Sequence, residues 1–181
     1  MEKPFIQKVR KNYSIPWYEQ IQKEVLFSPE DEPQIYYSIK PSDYVTALTH
    51  TTDNKFIILK QYRPAVEDFT FELLSGHREE GETPAKAIMR ELAEETGCRA
   101  DSATLLGEVI PDTGRLENRL WAFYIGNVEV KHLPDPADNE GIEVHLVTPG
   151  EFFDMVYNGK LNHALDLSVI SLAIFRNYLK I

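Results

Sequence analysis

Residues 76–98 decide the reading of this chain: GHREEGETPAKAIMRELAEETGC. The second half carries the signals of one short helix. Thr83 suits the N-cap, Pro84 the first helical position, and Gly97 the left-handed residue after the last turn. On a 3.6-residue wheel Ala85, Ile88, Met89, Leu92 and Thr96 share a face that should pack on a core. Glu91, Glu94 and Glu95 share another, at i, i+3 and i+4. Like charges at those spacings repel by about 0.2–0.5 kcal/mol per pair, and Glu94 and Glu95 fall in the last turn, where the helix dipole disfavours anions. Arg90, four residues before Glu94, offsets only part of this. A local conflict of this kind marks a functional surface, and crowded carboxylates are the donors that hard cations such as Mg²⁺ or Mn²⁺ prefer.

The spacing extends beyond the helix. Gly76, five residues, Glu82, seven residues, Arg90-Glu91-Leu92, one residue, Glu94-Glu95, one residue, Gly97 and Cys98 follow a fixed pattern. Its seven fixed identities, each at roughly one in fifteen by average usage, coincide by chance on the order of 10⁻⁸ per register. A merely solvated acidic helix face would not produce that match. The pattern is the Nudix box, and the chain resembles the Nudix hydrolases, with Cys98 where an aliphatic residue is usual. The resemblance implies hydrolysis of a nucleoside diphosphate linked to another group, on divalent metal held by the box helix. It makes Glu91, Glu94 and Glu95 metal ligands, the Ser75 carbonyl a further ligand and Glu82 an outer one. Arg90 would orient the carboxylates through charge-assisted hydrogen bonds, and Glu94 would serve in catalysis as well as in binding.

Ahead of the box, residues 1–16 are polar and proline-punctuated. Residues 17–27 and 33–40 read as two strands, and 43–51 and 55–62 as a hairpin around Thr52-Asp53-Asn54. An N-terminal pair of strands, followed by Gln61-Tyr62-Arg63-Pro64, resembles the branch that cleaves ADP-ribose and nucleoside diphosphate sugars. In that branch the extra strands build a homodimer and help form the nucleotide site. The resemblance puts Arg63 on phosphate, Glu72 near metal or ribose, and Trp17 among the aromatics that could stack on a base. Leu74-Ser75-Gly76 stands where the family usually has Pro-Ala-Gly, which changes little if only the Ser75 carbonyl is used.

After the box, residues 103–110 and 119–128 read as strands joined by PDTGRLEN at 111–118. Arg115 or Arg119 could reach phosphate there, and Glu117 the metals. A proline-glycine pair is usual near this point in ADP-ribose enzymes. Pro111-Asp112-Thr113-Gly114 replaces it, so ADP-ribose is not privileged over GDP- or UDP-sugars. The loop at 131–140 matches the place from which family members supply a catalytic glutamate. Glu140 is the first choice for that base, with Glu143 and Glu82 as alternatives. A strand at 141–147 and helices at 149–157 and 162–179 close the chain, the last with Leu165, Val169, Leu172, Ala173 and Arg176 along its packing stripe.

The expected fold is therefore α/β, a Nudix α/β/α sandwich with a mixed sheet and an N-terminal strand extension. Residues 1–42 form the extension and 43–181 the hydrolase domain. The expected reaction cleaves the pyrophosphate of a nucleoside diphosphate sugar to a nucleoside monophosphate and a sugar phosphate. Dinucleoside polyphosphates or nucleoside triphosphates are the alternative substrates, and a non-catalytic nucleotide-binding module is the alternative class; retention of every box carboxylate favours turnover. With 181 residues the chain can build a substantial core. A net charge of −10 argues against a nucleic-acid partner and requires metals and local arginines to reverse the potential around an anionic substrate. One cysteine precludes an internal disulfide, no stretch reaches ~18 apolar residues, and the expected location is the cytoplasm.

Overall fold

The computed structural model describes residues 5–139 and 141–180. By its contacts the chain divides into two compact units, Met1–Asp43 with Ile110–Arg119, and Tyr44–Val109 with Leu120–Ile181.

The first unit is an antiparallel meander of β1 (Phe5–Ile15), β2 (Tyr18–Leu26) and β3 (Gln34–Pro41). β1 was not expected, because its sequence, FIQKVRKNYSI, has no clean apolar alternation. It forms nonetheless, pairing along its length with β2 and adding cross-strand ion pairs, Arg10 with Glu24 and Lys11 with Glu19. Ile6, Val9, Trp17, Phe27, Ile35, Tyr36, Tyr37 and Ile39 are all exposed on this unit. Residues 110–119 are more than the connection expected between two strands. They run beside β3, where the Ile39 N–H donates to the Arg115 carbonyl (2.8 Å) and the Glu117 N–H to the Ile39 carbonyl (3.0 Å).

The second unit contains β4 (Tyr44–Thr51), β5 (Phe56–Arg63), β6 (Asp68–Glu72), β7 (Leu74–His77), α1 (Pro84–Thr96), β8 (Thr104–Val109), β9 (Leu120–Val128), β10 (Glu143–Val147), α2 (Pro149–Tyr157) and α3 (Ala164–Phe175). Its strands run in the order β10-β5-β4-β9-β8, with β6 on β5 and β7 on β4. β4 and β9 are parallel and the other pairs antiparallel, so the sheet is mixed. Successive side chains of each strand point to opposite faces. Ile57 and Leu59 join the apolar cluster under α1, whereas Phe56 and Ile58 join the cluster with α2 and α3. Both faces of the sheet are thereby covered by helices, giving the expected sandwich.

The β4–β5 hairpin is only one residue pair deep, His50 opposite Phe56. β4 is claimed by β7 and β9, and β5 by β6 and β10, so the two strands part immediately. α3 is shorter than expected, ending at Phe175. It buries Asp166, Val169, Ile170 and Ala173, while Arg176 is exposed. Its sequence, ALDLSVISLAIF, is apolar on almost every side, so periodicity alone does not choose the packing face.

Candidate active site

The site is built on α1 and on the strand that precedes it. The Thr83 hydroxyl accepts from the Lys86 N–H (3.3 Å), and Gly97 closes the helix at φ 65°, a conformation that costs glycine little. Ala87, Ile88, Leu92 and Thr96 are buried, and Ala85, expected on that face, is exposed. The opposite side carries the carboxylates, with Arg90 among them. Arg90 Nε and Nη2 donate to the two oxygens of Glu82 (3.2 and 3.1 Å), and Nη1 donates to Glu91 and Glu94 (both 2.9 Å). Nη2 also donates to the His77 carbonyl (3.0 Å), tying the helix to the end of β7. The Glu82 bonds first, then those to Glu94 and Glu91, hold the Arg90 guanidinium charged. Arg90 is thus hydrogen-bonded to three of the box carboxylates, Glu82, Glu91 and Glu94.

Glu91 and Glu95 sit deeper. Glu91 packs on the backbone of Gly76: a Cβ built there would fall 2.0 Å from the Glu91 Cδ and Oε1. Only glycine lets the carboxylate lie so close. Burial pushes the Glu91 carboxyl up, against the pull of Arg90. Glu95 is pushed up to about 8, by burial first and then by the negative charge of Glu91. The Ser75 backbone donates to Glu95, yet its Oε2 is buried without a hydrogen-bond partner among the described residues.

This donor set fits a hard cation. An orphaned buried carboxylate oxygen, a second carboxylate one helical turn away and the adjoining Ser75 peptide present the oxygen chemistry that Mg²⁺ and Mn²⁺ prefer. Among the described residues no three acidic, imidazole or thiol side chains converge on one point, so the set is a pair of carboxylates rather than a closed cage.

Arg63 and Glu72 stand at opposite ends of the β5–β6 ladder, opposite Asp68 and Leu59 respectively, and their side chains reach each other along it. Arg63 Nε and Nη2 fork onto the Glu72 carboxylate (2.8 and 2.5 Å), to which Thr70 also donates. Burial alone would raise Glu72; the Arg63 and Thr70 bonds outweigh it and hold the carboxyl below its ordinary range. Arg63 is 43% exposed at its side chain, so it retains a solvent-facing edge while anchored.

Trp17, Arg115 and Arg119 belong to the first unit. Trp17 is 73% exposed in the β1–β2 turn. Arg115 lines a cavity of about 260 Å³ with Lys23, Tyr36, Tyr37 and Ser38, and Arg119 lines one of about 410 Å³ with Lys23, Ile110 and Thr113. Glu117, considered as a further carboxylate for metal, is bound within this unit by Lys23 and Ser38. Glu140 lies outside the described residues. Of its alternatives, Glu143 pairs with Lys60 (2.9 Å) and is held low by that bond first, which suits an ion pair better than a base. Asp166 and its contact with Leu73 escaped the sequence reading. The available signal was a lone charge in the first turn of an otherwise apolar helix.

A mixed sheet between helices, with the box helix and its glycine-backed carboxylates beside β7, defines one class of α/β sandwich. The NUDIX domain pattern matches residues 40–165, and the chain belongs to the Nudix family. Over 108 residues it is 33% identical to an ADP-sugar pyrophosphatase of Mus musculus, covering 55% of this chain and 49% of that protein. It therefore spans about half the length of the mouse relative. Over 133 residues it is 29% identical to an ADP-ribose pyrophosphatase of Bacillus subtilis (strain 168), covering 70% of this chain and 72% of that one. A solved structure described as an ADP compounds hydrolase superposes with a TM-score of 0.81 at 19% identity, over 99% of this chain and 95% of the other, a likeness of fold.

Proposed function

We propose that this protein is a Mg²⁺-dependent pyrophosphohydrolase of nucleoside diphosphate sugars, releasing a nucleoside monophosphate and a sugar phosphate. The observation that carries the reading is the Glu91–Glu95 pair, with its buried unpartnered oxygen, on the box helix of a Nudix domain. The mouse and Bacillus relatives bear the names of enzymes acting on ADP-sugar and ADP-ribose, which supports a substrate of the same class. A bound divalent ion would supply Lewis-acid polarisation of the pyrophosphate and a more acidic water.

In this reading Glu91, Glu95 and the Ser75 carbonyl hold the ion, with Glu94 and Glu82 at its margin. Arg90 aims Glu82, Glu91 and Glu94 through its fork, and its bonds hold the Glu82 carboxyl below the ordinary range. Arg63, pre-aligned by Glu72, turns its exposed edge to a substrate phosphate. Glu140 removes the proton of the attacking water; that assignment rests on the resemblance alone.

A homodimer formed through the first unit and a cytoplasmic location complete the proposal. The exposed apolar side chains of β1–β3 support the dimer, because a patch of that kind ordinarily meets a partner. Sedimentation at micromolar concentration checks it, and a monomeric mass would contradict it. A lone buried thiol suits a reducing compartment, and no helix among the described residues is long and apolar enough to cross a membrane.

The deciding experiment is a panel of nucleoside diphosphate sugars, dinucleoside polyphosphates and nucleoside triphosphates with Mg²⁺ and product identification. Cleavage of at least one nucleoside diphosphate sugar at the pyrophosphate, with the glycosidic bond intact, is expected. Release of free sugar with a nucleoside diphosphate, or turnover of triphosphates alone, would refute the proposal.

A further inference from the structure

We propose that Asp166, in the first turn of α3, is a positioning residue for the active site, acting through the backbone of Leu73. The inference rests on the function proposed above. Leu73 is the single residue between β6 and β7. The last β5–β6 pair is Leu59 with Glu72, and the first β4–β7 pair is Ala47 with Leu74. At Leu73 the chain thus leaves one ladder for the other, and its N–H falls between them. Asp166 Oδ2 accepts that N–H at 2.9 Å, across 93 residues of sequence.

The crossing is buried on both sides. Leu73 enters the cluster with α2 and α3, and Leu74 the cluster under α1, both with no exposure. A polar backbone group in such a place needs a partner. Asp166 is itself fully buried, which pushes its carboxyl up against the opposing pull of His163, whose Nδ1 lies 3.1 Å from Oδ1, and of the Leu73 N–H. A neutral acceptor would satisfy one amide as well. What makes the location functional is what hangs from it. One residue before Leu73, Glu72 receives the Arg63 fork. Two and three residues after it, Ser75 donates to Glu95 and Gly76 backs Glu91. Asp166 fixes the one peptide from which both halves of the site are suspended, and displacements near 1 Å are what catalytic geometry does not tolerate.

Two substitutions separate placement from charge. Asp166→Asn removes the charge but keeps an oxygen at the same reach. Asp166→Glu keeps the charge and pushes the acceptor one methylene further. For each variant Mn²⁺ binding is titrated by EPR, and kcat and KM for ADP-ribose and a GDP-sugar are measured well below its melting temperature. Expected are parent-like values within about threefold for Asp166→Asn, and for Asp166→Glu a loss in kcat of about thirtyfold or more, with weakened Mn²⁺ binding and a smaller change in KM. Should Asp166→Glu fail to fold, Asp166→Ala, which leaves the Leu73 amide without its acceptor, takes its place in the same comparison. The proposal is overturned if Asp166→Asn loses Mn²⁺ affinity and kcat while Asp166→Glu keeps them. It is equally overturned if the displaced variant changes only the melting temperature. A parent protein that neither binds Mn²⁺ nor cleaves either sugar nucleotide would sink the functional reading instead.

Discussion

Gly76→Ala is the sharpest perturbation the site offers. The new methyl would lie 2.0 Å from the Glu91 Cδ and Oε1 and 2.5 Å from Cγ, where ordinary contact begins at 3.4 Å. The carboxylate must then retreat by about 1.4 Å from where the glycine lets it rest. Gly76 has no positive φ, so alanine fits the backbone, and the lost freedom of the unfolded chain favours the variant by about 0.4–1 kcal/mol. The cost falls on Glu91, the far end of a side chain that can swing away, rather than on the fold. A misplacement of that size in a metal-bearing carboxylate is worth about 10² in kcat. We expect kcat lower by about 10²-fold, a raised Mg²⁺ half-saturation and a melting temperature within a few degrees of the parent. Glu91→Asp draws the carboxylate back by about one C–C bond, ~1.5 Å, and eases the clash, since its carboxyl carbon takes the Cγ position 2.5 Å from the new methyl in place of the Cδ position at 2.0 Å. In the Gly76→Ala background it should therefore cost at least about tenfold less than alone, a non-additivity read from the double-mutant cycle. Parent-like kcat and Mg²⁺ dependence for Gly76→Ala, or strictly additive losses in the cycle, would refute the reasoning.

Three further outcomes follow from the same geometry. Glu95→Gln should abolish most activity while leaving the metal-free melting temperature near neutral pH about unchanged, since burial and the Glu91 charge push the Glu95 carboxyl up to about 8 and already favour the neutral form that Gln resembles; turnover within about twofold of the parent at saturating Mg²⁺ would contradict it. Glu140→Gln should lower kcat far more than it weakens substrate or Mn²⁺ binding, and a large kcat effect at Glu143 or Glu82 in its stead would move the base there. Glu72 titrates below its ordinary 4.5 in the folded protein, so its stabilisation is present above that value and lost as pH falls through the lowered one. Calorimetry between about pH 3 and 7 should show a smaller loss of melting temperature on acidification in Glu72→Gln than in the parent, and parallel curves would count against the Arg63 pairing.

What the sequence disclosed was what is local. α1 begins and ends where Thr83, Pro84 and Gly97 say it should, because caps are chosen by neighbours three or four residues away. The box residues were legible because chemistry fixes their spacing, and Arg90 is found with the partners its fork demands. Long-range pairing was not legible. FELLSG reads as one continuous run, and only the competition of β4 and β5 for it splits it at Leu73. Nothing near Ile39 announces that residues 110–119 return to pair with it, and nothing near Leu73 announces Asp166. The packing face of α3 was legible in part: Leu165, Val169, Leu172 and Ala173 pack on the core and Arg176 does not, and with apolar residues nearly all round the rest of the choice is made by the surface the helix meets.

The return of residues 110–119 to β3 also bears on the order in which the chain is made. β1, β2 and β3 leave the ribosome in the order in which they pair, and can form their meander at once. Their unit is unfinished until residue 119 has been synthesised, because Ile39 takes its backbone partners from Arg115 and Glu117. At roughly 5–20 residues per second that delay lasts about 4–15 s. Throughout it the β3 edge and the aromatic side chains beside it are presented to every other nascent chain. A protein in which one strand waits for a segment made some seventy residues later exposes its strand edge to translation itself, and slow codons between residues 44 and 119 would lengthen that exposure without altering a single amino acid.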